Sequence, residues 1–291
     1  MSGIYLINKP NGISSFDCIR QLKKIFPKKK FGHAGTIDPF ASGLLVVMSG
    51  KATKLSQIFM AADKTYEGTI YFGRSTTTYD STGETLEERL DFKLNNSLID
   101  QTFNKFKGNI MQSPPLYSAL KKAGKRLYQY ARENVVVEVE PREVTVKKLL
   151  RTSDFKNNLV AIKAEVSKGT YLRSLAYDIG KSLNIPAHLA TLTRTKSGSF
   201  SLKDSYLLAE ITSASKPTIS LSEFAEKLPK IVVEPNLERL IVNGIELDKK
   251  RVDFQEIFSI YNQDEKLLAI YQPYKNRFKP LVIIGEADEN I

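Results

Sequence analysis

"GHAGTIDPFASGLLVVMSG", residues 32–50, sets a glycine-rich turn directly against a run of apolar residues. In "GLLVVMSG" no polar residue alternates with the apolar ones, so the run reads as a strand buried on both faces. The turn before it locks Asp38 against Pro39, which pushes the Asp38 backbone toward extended geometry. Gly35 and Gly43 permit a sharp turn or close approach of another segment. Two readings of Asp38 stand side by side. Asp before Pro is ordinary turn chemistry. A rigid loop at the head of a buried strand would also hold a carboxylate, ionised at neutral pH with an ordinary pKa of about 3.9, as a nucleophile or base. His33, in the same loop, likewise has a structural reading and a catalytic one.

Outward from this stretch the elements alternate irregularly. "IYLINKP" (4–10) is a short strand closed by Pro10 and Gly12. "SSFDCIRQLKKIF" (14–26) follows as a helix capped by Ser14 or Ser15, with Phe16, Ile19, Leu22, Ile25 and Phe26 at helical spacing. "KATKLSQIFMAAD" (51–63) is a helix ending near Asp63. "KTYEGTIYFG" (64–73) puts Tyr66, Ile70 and Phe72 on one face and Thr65, Thr69 and Tyr71 on the other, a half-buried strand. "STTTYDSTGE" (75–84) has the composition of an exposed loop. "NSLIDQTFNKFKG" (96–108) is a helix with Leu98, Ile99, Phe103 and Phe106 as its stripe. "MQSPPLYSALKKAGKRLYQYAREN" (111–134) starts extended and becomes a basic, tyrosine-bearing helix. Strands follow in "VVVEVEPREVTVKKLL" (135–150) and "NLVAIKAEVSKG" (158–169), the latter with Val160, Ile162, Ala164 and Val166 on one face.

Without a regular βαβ alternation, the fold class is α+β, a mixed, largely antiparallel sheet flanked by helices. A boundary falls after "FAEKLPK", dividing residues 1–229 from a small β-rich domain at 230–291. The short strands of that domain are "RLIVNG", "IFSIYN", "KLLAIYQ" and "PLVII".

Lys and Arg number 43 against 32 Asp and Glu, a net charge of +11, and the pI is about 9.4. Such a surplus suits a polyanionic partner, nucleic acid above all, or a solvated basic surface. Basic clusters at 28–30, 121–126, 249–251 and 275–279 are spread along the chain, as a folded surface gripping phosphates requires. No apolar run approaches the roughly 20 residues of a membrane helix, and "MSGIYLINKPNGISS" lacks the basic and apolar regions of a signal peptide. Cys18 is the single cysteine, and the two histidines, His33 and His188, have no metal-ligand spacing. The expectation is a cytoplasmic protein without metal or cofactor.

Two further motifs carry chemistry. In "SKGTYLRSLAYDIG" (167–180), Lys168 and Gly169 form a turn, Thr170 caps a helix, and Tyr171 and Arg173 lie in its first turn. The core side of this helix is Leu172, Leu175, Ala176, Ile179 and Leu183. Arg173 lies off that stripe, either as a surface residue or as a guanidinium paired bidentately with a carboxylate from elsewhere. In residues 111–132, lysines and arginines interleave with tyrosines, either a solvated basic helix or an element that stacks bases and meets phosphates.

Together "NKPNGISSF" (8–16), "GHAGTIDPFASGLL" (32–45), "KTYEGTIYFG", "QSPPLYSALK" (112–121), "SKGTYLRSLAYDIG" and "AHLATLTRTKSGSF" (187–200) resemble the ordered motifs of the TruB-type tRNA pseudouridine synthases. The resemblance spans about residues 3–230, and less specifically the remainder is similar to that family's PUA-like RNA-binding domain. It implies the pseudouridine synthase fold and a cofactor-free isomerisation of uridine to pseudouridine in the tRNA T-loop, at tRNA position 55. By the same resemblance Asp38 is the catalytic aspartate and Arg173 pairs with it. Tyr66 stacks on the target base and is a candidate to move a proton. Tyr171 and Leu192 line the pocket, His33 contacts RNA near the flipped nucleotide, and Lys9 and Lys64 support substrate binding. The implied partner is the tRNA T-arm, met by a monomer that needs no other protein.

Ile37 stands where the family has leucine. Thr193 stands where "LRR" is common, removing one phosphate contact beside Arg194. Whether Asp38 attacks C6 of uracil, attacks C1′ of ribose or removes the C2′ proton is left open by the residues. Two rival readings are an RNA-binding factor without catalysis and the guide-RNA-dependent branch of the superfamily. "DPFASGLL" and the compact length resemble the free-standing bacterial type.

Overall fold

The apolar run that opens the chain is sorted by alternation into two cores. Strands β1 (Gly3–Lys9) and β3 (Ser42–Ser49) lie antiparallel, with Tyr5 opposite Val47 and Ile7 opposite Leu45. Tyr5, Ile7, Leu45 and Val47 join one buried cluster, whereas Ile4, Leu6, Leu44, Val46 and Met48 join another on the opposite face. A strand sandwiched in this way has no face that calls for polar residues, which is why "GLLVVMS" carries almost none. The computed structural model describes residues 2–133, 135, 137–249 and 254–284.

Between these strands run α1 (Ser15–Ile25) and the short β2 (Phe31–His33); after β3 a 3₁₀ turn (Gly50–Leu55) leads into α2 (Ser56–Ala61). Then come β4 (Lys64–Phe72), the hairpin β5 (Arg74–Thr76) and β6 (Thr85–Glu88), α3 (Asn96–Lys105) and β7 (Gly108–Gln112). A second hairpin, β8 (Lys121–Lys122) and β9 (Lys125–Arg126), leads into α4 (Leu127–Arg132). Next come β10 (Arg142–Arg151), β11 (Leu159–Val166), α5 (Leu172–Ser182) and β12 (Ala187–Ser197).

The main path of the central sheet runs β1-β3-β12-β4-β11-β10-β7, with a short strand at Tyr206–Leu207 outside β1. Only the β3–β12 pairing and that outer strand are parallel along this path, so the sheet is mixed and largely antiparallel, as expected. Helices α1, α3 and α5 cover one face, through Ile19, Leu22, Ile99, Phe103, Leu175 and Ile179. The other face is covered by α2, a later helix at Leu221–Glu226 and residues of the carboxy-terminal strands, through Phe59, Leu221, Leu267, Ile270 and Val282.

Those strands form a second, five-stranded sheet from Lys230–Val232, Leu247–Asp248, Phe258–Tyr261, Leu267–Tyr274 and Arg277–Ile283. Its own core centres on Phe258, Tyr271 and Phe278. A sheet this small buries too little apolar surface to be secure alone, and sharing Leu267, Ile270 and Val282 with the central sheet offsets that deficit.

Several local expectations are corrected. "RLIVNG" is the end of a helix, Pro235–Val242, started by Pro235 at its first turn, and not a strand. Ser14 caps α1 in a capping box with Asp17, and Phe16 is 60% exposed because it projects roughly 200° around the helix from buried Cys18. Leu98 is likewise exposed, since α3 turns Ile99, Thr102 and Phe103 inward. The long basic helix is reduced to α4: Ala123 and Gly124, at φ 49° and 82°, turn the chain into the β8–β9 hairpin. The "exposed" loop 75–84 contains buried Ser75, Thr76 and Asp80, because the Leu189 N–H donates to the Tyr79 carbonyl (3.0 Å) and draws the loop onto β12. Thr170 bonds back to Ser167 O (3.0 Å) in the turn, leaving Tyr171 as the cap residue of α5. Lys250 and Arg251 of the 249–251 cluster, and Asn134 and Val136 of the adjoining segments, lie outside the described residues.

Candidate active site

The loop that carries Asp38 is fixed at three points by the segment "NKPNGISS". The Ser15 hydroxyl accepts from Ile37 N–H (2.9 Å) and donates to Ile37 O (3.2 Å). The Gly12 N–H donates to Pro39 O (2.7 Å). Lys9, fully buried, donates from Nζ to Pro10 O, Ile13 O and Ala41 O at 2.8, 2.8 and 2.6 Å. Gly35 and Gly43 have φ of 92° and 104°. At Gly43 a Cβ would stand 2.4 Å from the Arg194 carbonyl oxygen, so only glycine lets β3 lie this close to β12.

Onto this fixed loop α5 delivers Arg173. Its Nε donates to Asp38 Oδ2 (2.8 Å) and its Nη2 to Asp38 Oδ1 (3.0 Å), a bidentate, charge-assisted pair. Nη2 also donates to Tyr117 O (3.0 Å) and Nη1 to Thr78 O (2.9 Å), while Asp80 Oδ2 stands 3.5 Å from Nη1. The guanidinium is buried, whereas the Asp38 side chain keeps 31% of its surface accessible. Burial pushes the Asp38 carboxyl above the ordinary carboxylate range; Arg173 opposes that shift and Asp80 adds to it.

Asp38 opens into a cavity of about 590 Å³ whose wall includes Tyr66, Gln112, Ser118, Tyr171, Leu192 and Arg194. Tyr66 comes from β4, where it is paired with Ala164 of β11 and Arg194 of β12. Tyr171 is clamped by Gln112, whose amide accepts from Tyr171 N–H (2.8 Å) and donates to Tyr171 O (3.1 Å). Burial raises the Tyr171 phenol pKa. Thus Asp38, Tyr66, Tyr171 and Leu192, far apart in sequence, line one cavity, and Arg173 is joined to it through Asp38.

Lys9 does not meet them. All three ammonium protons are engaged by carbonyls, and burial lowers its pKa to about 8. It fastens the Asp38 loop and has no donor left for RNA, which corrects its expected place in substrate binding. Lys64 borders the cavity, but its Nζ is engaged by Phe59, Met60 and Ala62 carbonyls at the end of α2, and burial lowers it to about 8 as well. His33 sits on β2 outside the residues that line the cavity; its Nδ1 is buried without a hydrogen-bond partner, and burial lowers its pKa. Arg194, 1% exposed, donates to Leu44 O (2.7 Å) and Gly35 O (3.4 Å), so it holds the glycine loop and is no surface phosphate contact. Thr193 Oγ1 pairs with Ser42 Oγ (2.9 Å) across the parallel β3–β12 contact.

Asp80 was not legible as a site residue. Its Oδ1 accepts from Thr78 Oγ1 and from both N–H and Oγ1 of Thr82. The composition "TYDST" gave that turn but nothing about the arginine facing it.

Two basic surfaces stand out. In the 119–133 segment, Lys125 stacks over Tyr130 (4.8 Å) and Arg132 over Tyr128 (5.5 Å). A second cavity, about 650 Å³, is walled by Lys28, Lys29, Lys30 and Lys54 together with Pro280–Ile283. Among the described residues, no helix is long and apolar enough to cross a membrane.

Residues 23–172 match the model of the TruB family pseudouridylate synthase N-terminal domain. The chain is 38% identical over 288 residues to tRNA pseudouridine synthase B of Halalkalibacterium halodurans, covering 95% of this chain and 94% of that protein. It is 41% identical over 292 residues to the protein of the same name from Staphylococcus aureus strain MRSA252, covering 95% and 96%. Among solved structures, it resembles the one of a Cbf5–Nop10–Gar1 complex with TM-score 0.67 and 23% identity, over 98% of this chain and 84% of that chain. An H/ACA RNP bound to a substrate RNA containing 2′-deoxyuridine gives TM-score 0.67 and 21% identity, over 98% and 86%. At such identity these two likenesses establish the fold alone.

Proposed function

Since the chain belongs to the TruB family of pseudouridylate synthases, we propose that it isomerises the T-loop uridine of tRNA, at tRNA position 55, to pseudouridine. The observation that carries this reading is Asp38 on the wall of a cavity shared with Tyr66 and Tyr171, held at both oxygens by the buried Arg173.

A uridine inside a folded loop must leave its stack to reach Asp38, at a cost of a few kcal/mol. Stacking on Tyr66 offsets about 1–3 kcal/mol of that. Ionised Asp38, held at both oxygens by Arg173, then assists cleavage of the N1–C1′ bond. The uracil turns, C5 bonds to C1′, C5 loses its proton and N1 gains one, so the product is an isomer and no redox partner enters. Tyr171 and Leu192 confine the base while it turns. His33 contacts the RNA beside the flipped nucleotide, and Lys64 shapes the rim.

Residues 1–229 form the catalytic unit and 230–291 an RNA-binding one. The Lys28–Lys30 and Lys54 wall and the 119–133 segment meet the phosphates of the T-arm, because the A-form helix offers its backbone and not its base edges. The protein acts as a monomer in the cytoplasm, on tRNA alone. The likeness to the Cbf5–Nop10–Gar1 complex and to the H/ACA RNP, at 21–23% identity, extends to the fold alone, and the reading of action by a single chain follows the relatives at 38–41% identity.

The test is incubation of purified protein with an unmodified tRNA transcript, followed by mapping of pseudouridine. Product at the T-loop uridine is expected, together with loss of product but retention of tRNA binding in Asp38→Asn. Substantial turnover by that variant would overturn the assignment of Asp38.

A further inference from the structure

Ser118 presents a buried hydroxyl with nothing to bond. Its Oγ is shut off from solvent and lacks a hydrogen-bond partner, although the residue lies in the wall of the Asp38 cavity. Leaving a buried polar atom unpaired is costly, and most such atoms in folded proteins are satisfied. The segment around it is held firmly. Gln112 clamps Tyr171, Ser113 O accepts from Ser174 Oγ (2.9 Å), Tyr117 O accepts from Arg173 Nη2 (3.0 Å) and Ser118 O accepts from Tyr128 N–H (3.1 Å). The hydroxyl is thus held in place while its own hydrogen bond goes unmade.

Ser118 and Tyr171 line the same cavity, and the serine hydroxyl is near enough to the phenol to pull its pKa down against the burial that raises it, yet the two do not meet hydrogen-bond geometry. Three other polar side chains of this wall are engaged within the protein, Lys64 and Arg194 by carbonyls and Gln112 by the Tyr171 backbone. Catalytic hydrogen bonds are often long or misaligned without substrate and tighten when it binds.

We propose that Ser118 is a positioning residue for the isomerisation: its hydroxyl donates to the Tyr171 phenol oxygen when the nucleotide enters, aiming the phenol proton at a carbonyl oxygen of the flipped uracil. The proposal rests on the uridine-isomerase reading above. The chemistry of that base makes a carbonyl the fitting target. Turning uracil about its N3–C6 axis exchanges N1 with C5 and, with them, O2 with O4. A fixed phenol donor therefore meets a carbonyl oxygen before the turn and again after it, so the contact survives the step in which the base is detached.

The experiment is a double-mutant cycle on the full-length protein, read by single-turnover pseudouridine formation at saturating tRNA and by the concentration of tRNA giving half that rate. Ser118→Ala and Tyr171→Phe are each expected to lose about tenfold in rate, the scale of one neutral hydrogen bond, and the double variant no more than Tyr171→Phe alone. Ser118→Thr, which keeps the hydroxyl, restores the rate. With a 2-thio- or 4-thiouridine at the target position the carbonyl becomes a weak sulfur acceptor, and for one of the two the Ser118→Ala effect disappears. Melting of the substrate-free Ser118→Ala protein should match or exceed wild type, because an unsatisfied polar atom is removed. A wild-type rate for Ser118→Ala, or a loss that adds fully to that of Tyr171→Phe and persists with both thiouridines, overturns the inference. Absence of pseudouridine with the wild-type protein would overturn the underlying function instead.

Discussion

Arg173 Nη1, the one guanidinium nitrogen that Asp38 leaves unbonded, lies 3.5 Å from Oδ2 of Asp80. A single buried cation thus stands between two carboxylates, one facing the cavity and one tied into its own turn. Asp80 acts on Asp38 across that arginine, and its negative charge adds to the upward shift of the Asp38 pKa.

Asp80→Asn should therefore move the acid limb of the pH–rate profile to lower pH. In the proposed role Asp38 works ionised; a nearby negative charge makes that ionisation harder, and removing the charge makes it easier. Asparagine keeps an oxygen to accept from Thr82, so the turn survives. An acid limb that stays in place or moves upward would show that the two carboxylates are not coupled.

Arg173→Gln removes the cation that opposes the burial of Asp38, so its acid limb should move to higher pH. The variant also strips Thr78 O and Tyr117 O of their donor and leaves two carboxylates without a counter-charge. Breaking a buried pair from one side costs about 3–5 kcal/mol. Urea denaturation should show a loss of that order, and a drop under about 1 kcal/mol would mean the pair contributes little to the fold.

Much of this arrangement was legible in the sequence where one residue's neighbours are its own chain. The apolar run 43–50 gave its strand, "SSFDCIRQLKK" its capped helix, and Val160, Ile162, Ala164 and Val166 their buried face. Asp38 and Arg173 were identified by motif resemblance, and the spacing alone could not join residues that meet only when α5 lands on the loop before β3. Lys9 and Lys64 show the opposite failure. Lysines are ordinarily at the surface, and nothing in "NKPNG" or "DKTYEG" shows that three carbonyls converge on each ammonium. The basic 111–134 segment misled because charge and tyrosine content say nothing of the left-handed turn at Ala123–Gly124.

Gly43→Ala tests whether the glycines serve the loop or merely accompany it. At φ 104° an alanine is strained, and its Cβ would stand 2.4 and 2.7 Å from the oxygen and nitrogen of Arg194, both backbone atoms that cannot swing away. Strands β3 and β12 must separate, pulling the Ser42–Thr193 hydroxyl pair apart. A destabilisation of at least about 2 kcal/mol is expected by urea denaturation. By contrast Gly12→Ala, at a positive φ but with no atom within 4 Å, should lose only the smaller backbone penalty. Equal losses at the two positions would show that close approach of the strands is not what requires Gly43.

Lys9→Met separates a fastening lysine from an RNA-binding one. The variant leaves the carbonyls of Pro10, Ile13 and Ala41 without their donor, so stability should fall by about 2–4 kcal/mol and the activity with it. The dependence of log affinity for tRNA on log salt should be unchanged, because no phosphate contact is lost. Lys121→Ala, on the exposed basic hairpin, should instead reduce that slope by about 0.7–0.9 while leaving stability alone. The pH dependence supplies the second check. Folded Lys9 has a pKa of about 8 against an ordinary 10.5, so between these values the unfolded chain binds more protons and the lysine's contribution to stability rises with pH. Wild-type protein should gain more stability than Lys9→Met between about pH 8 and 9.5, below the range where tyrosines ionise. A slope of stability against pH that is the same in both proteins, or a reduced salt slope in Lys9→Met, would mean that the Lys9 ammonium is not buried on those three carbonyls in solution.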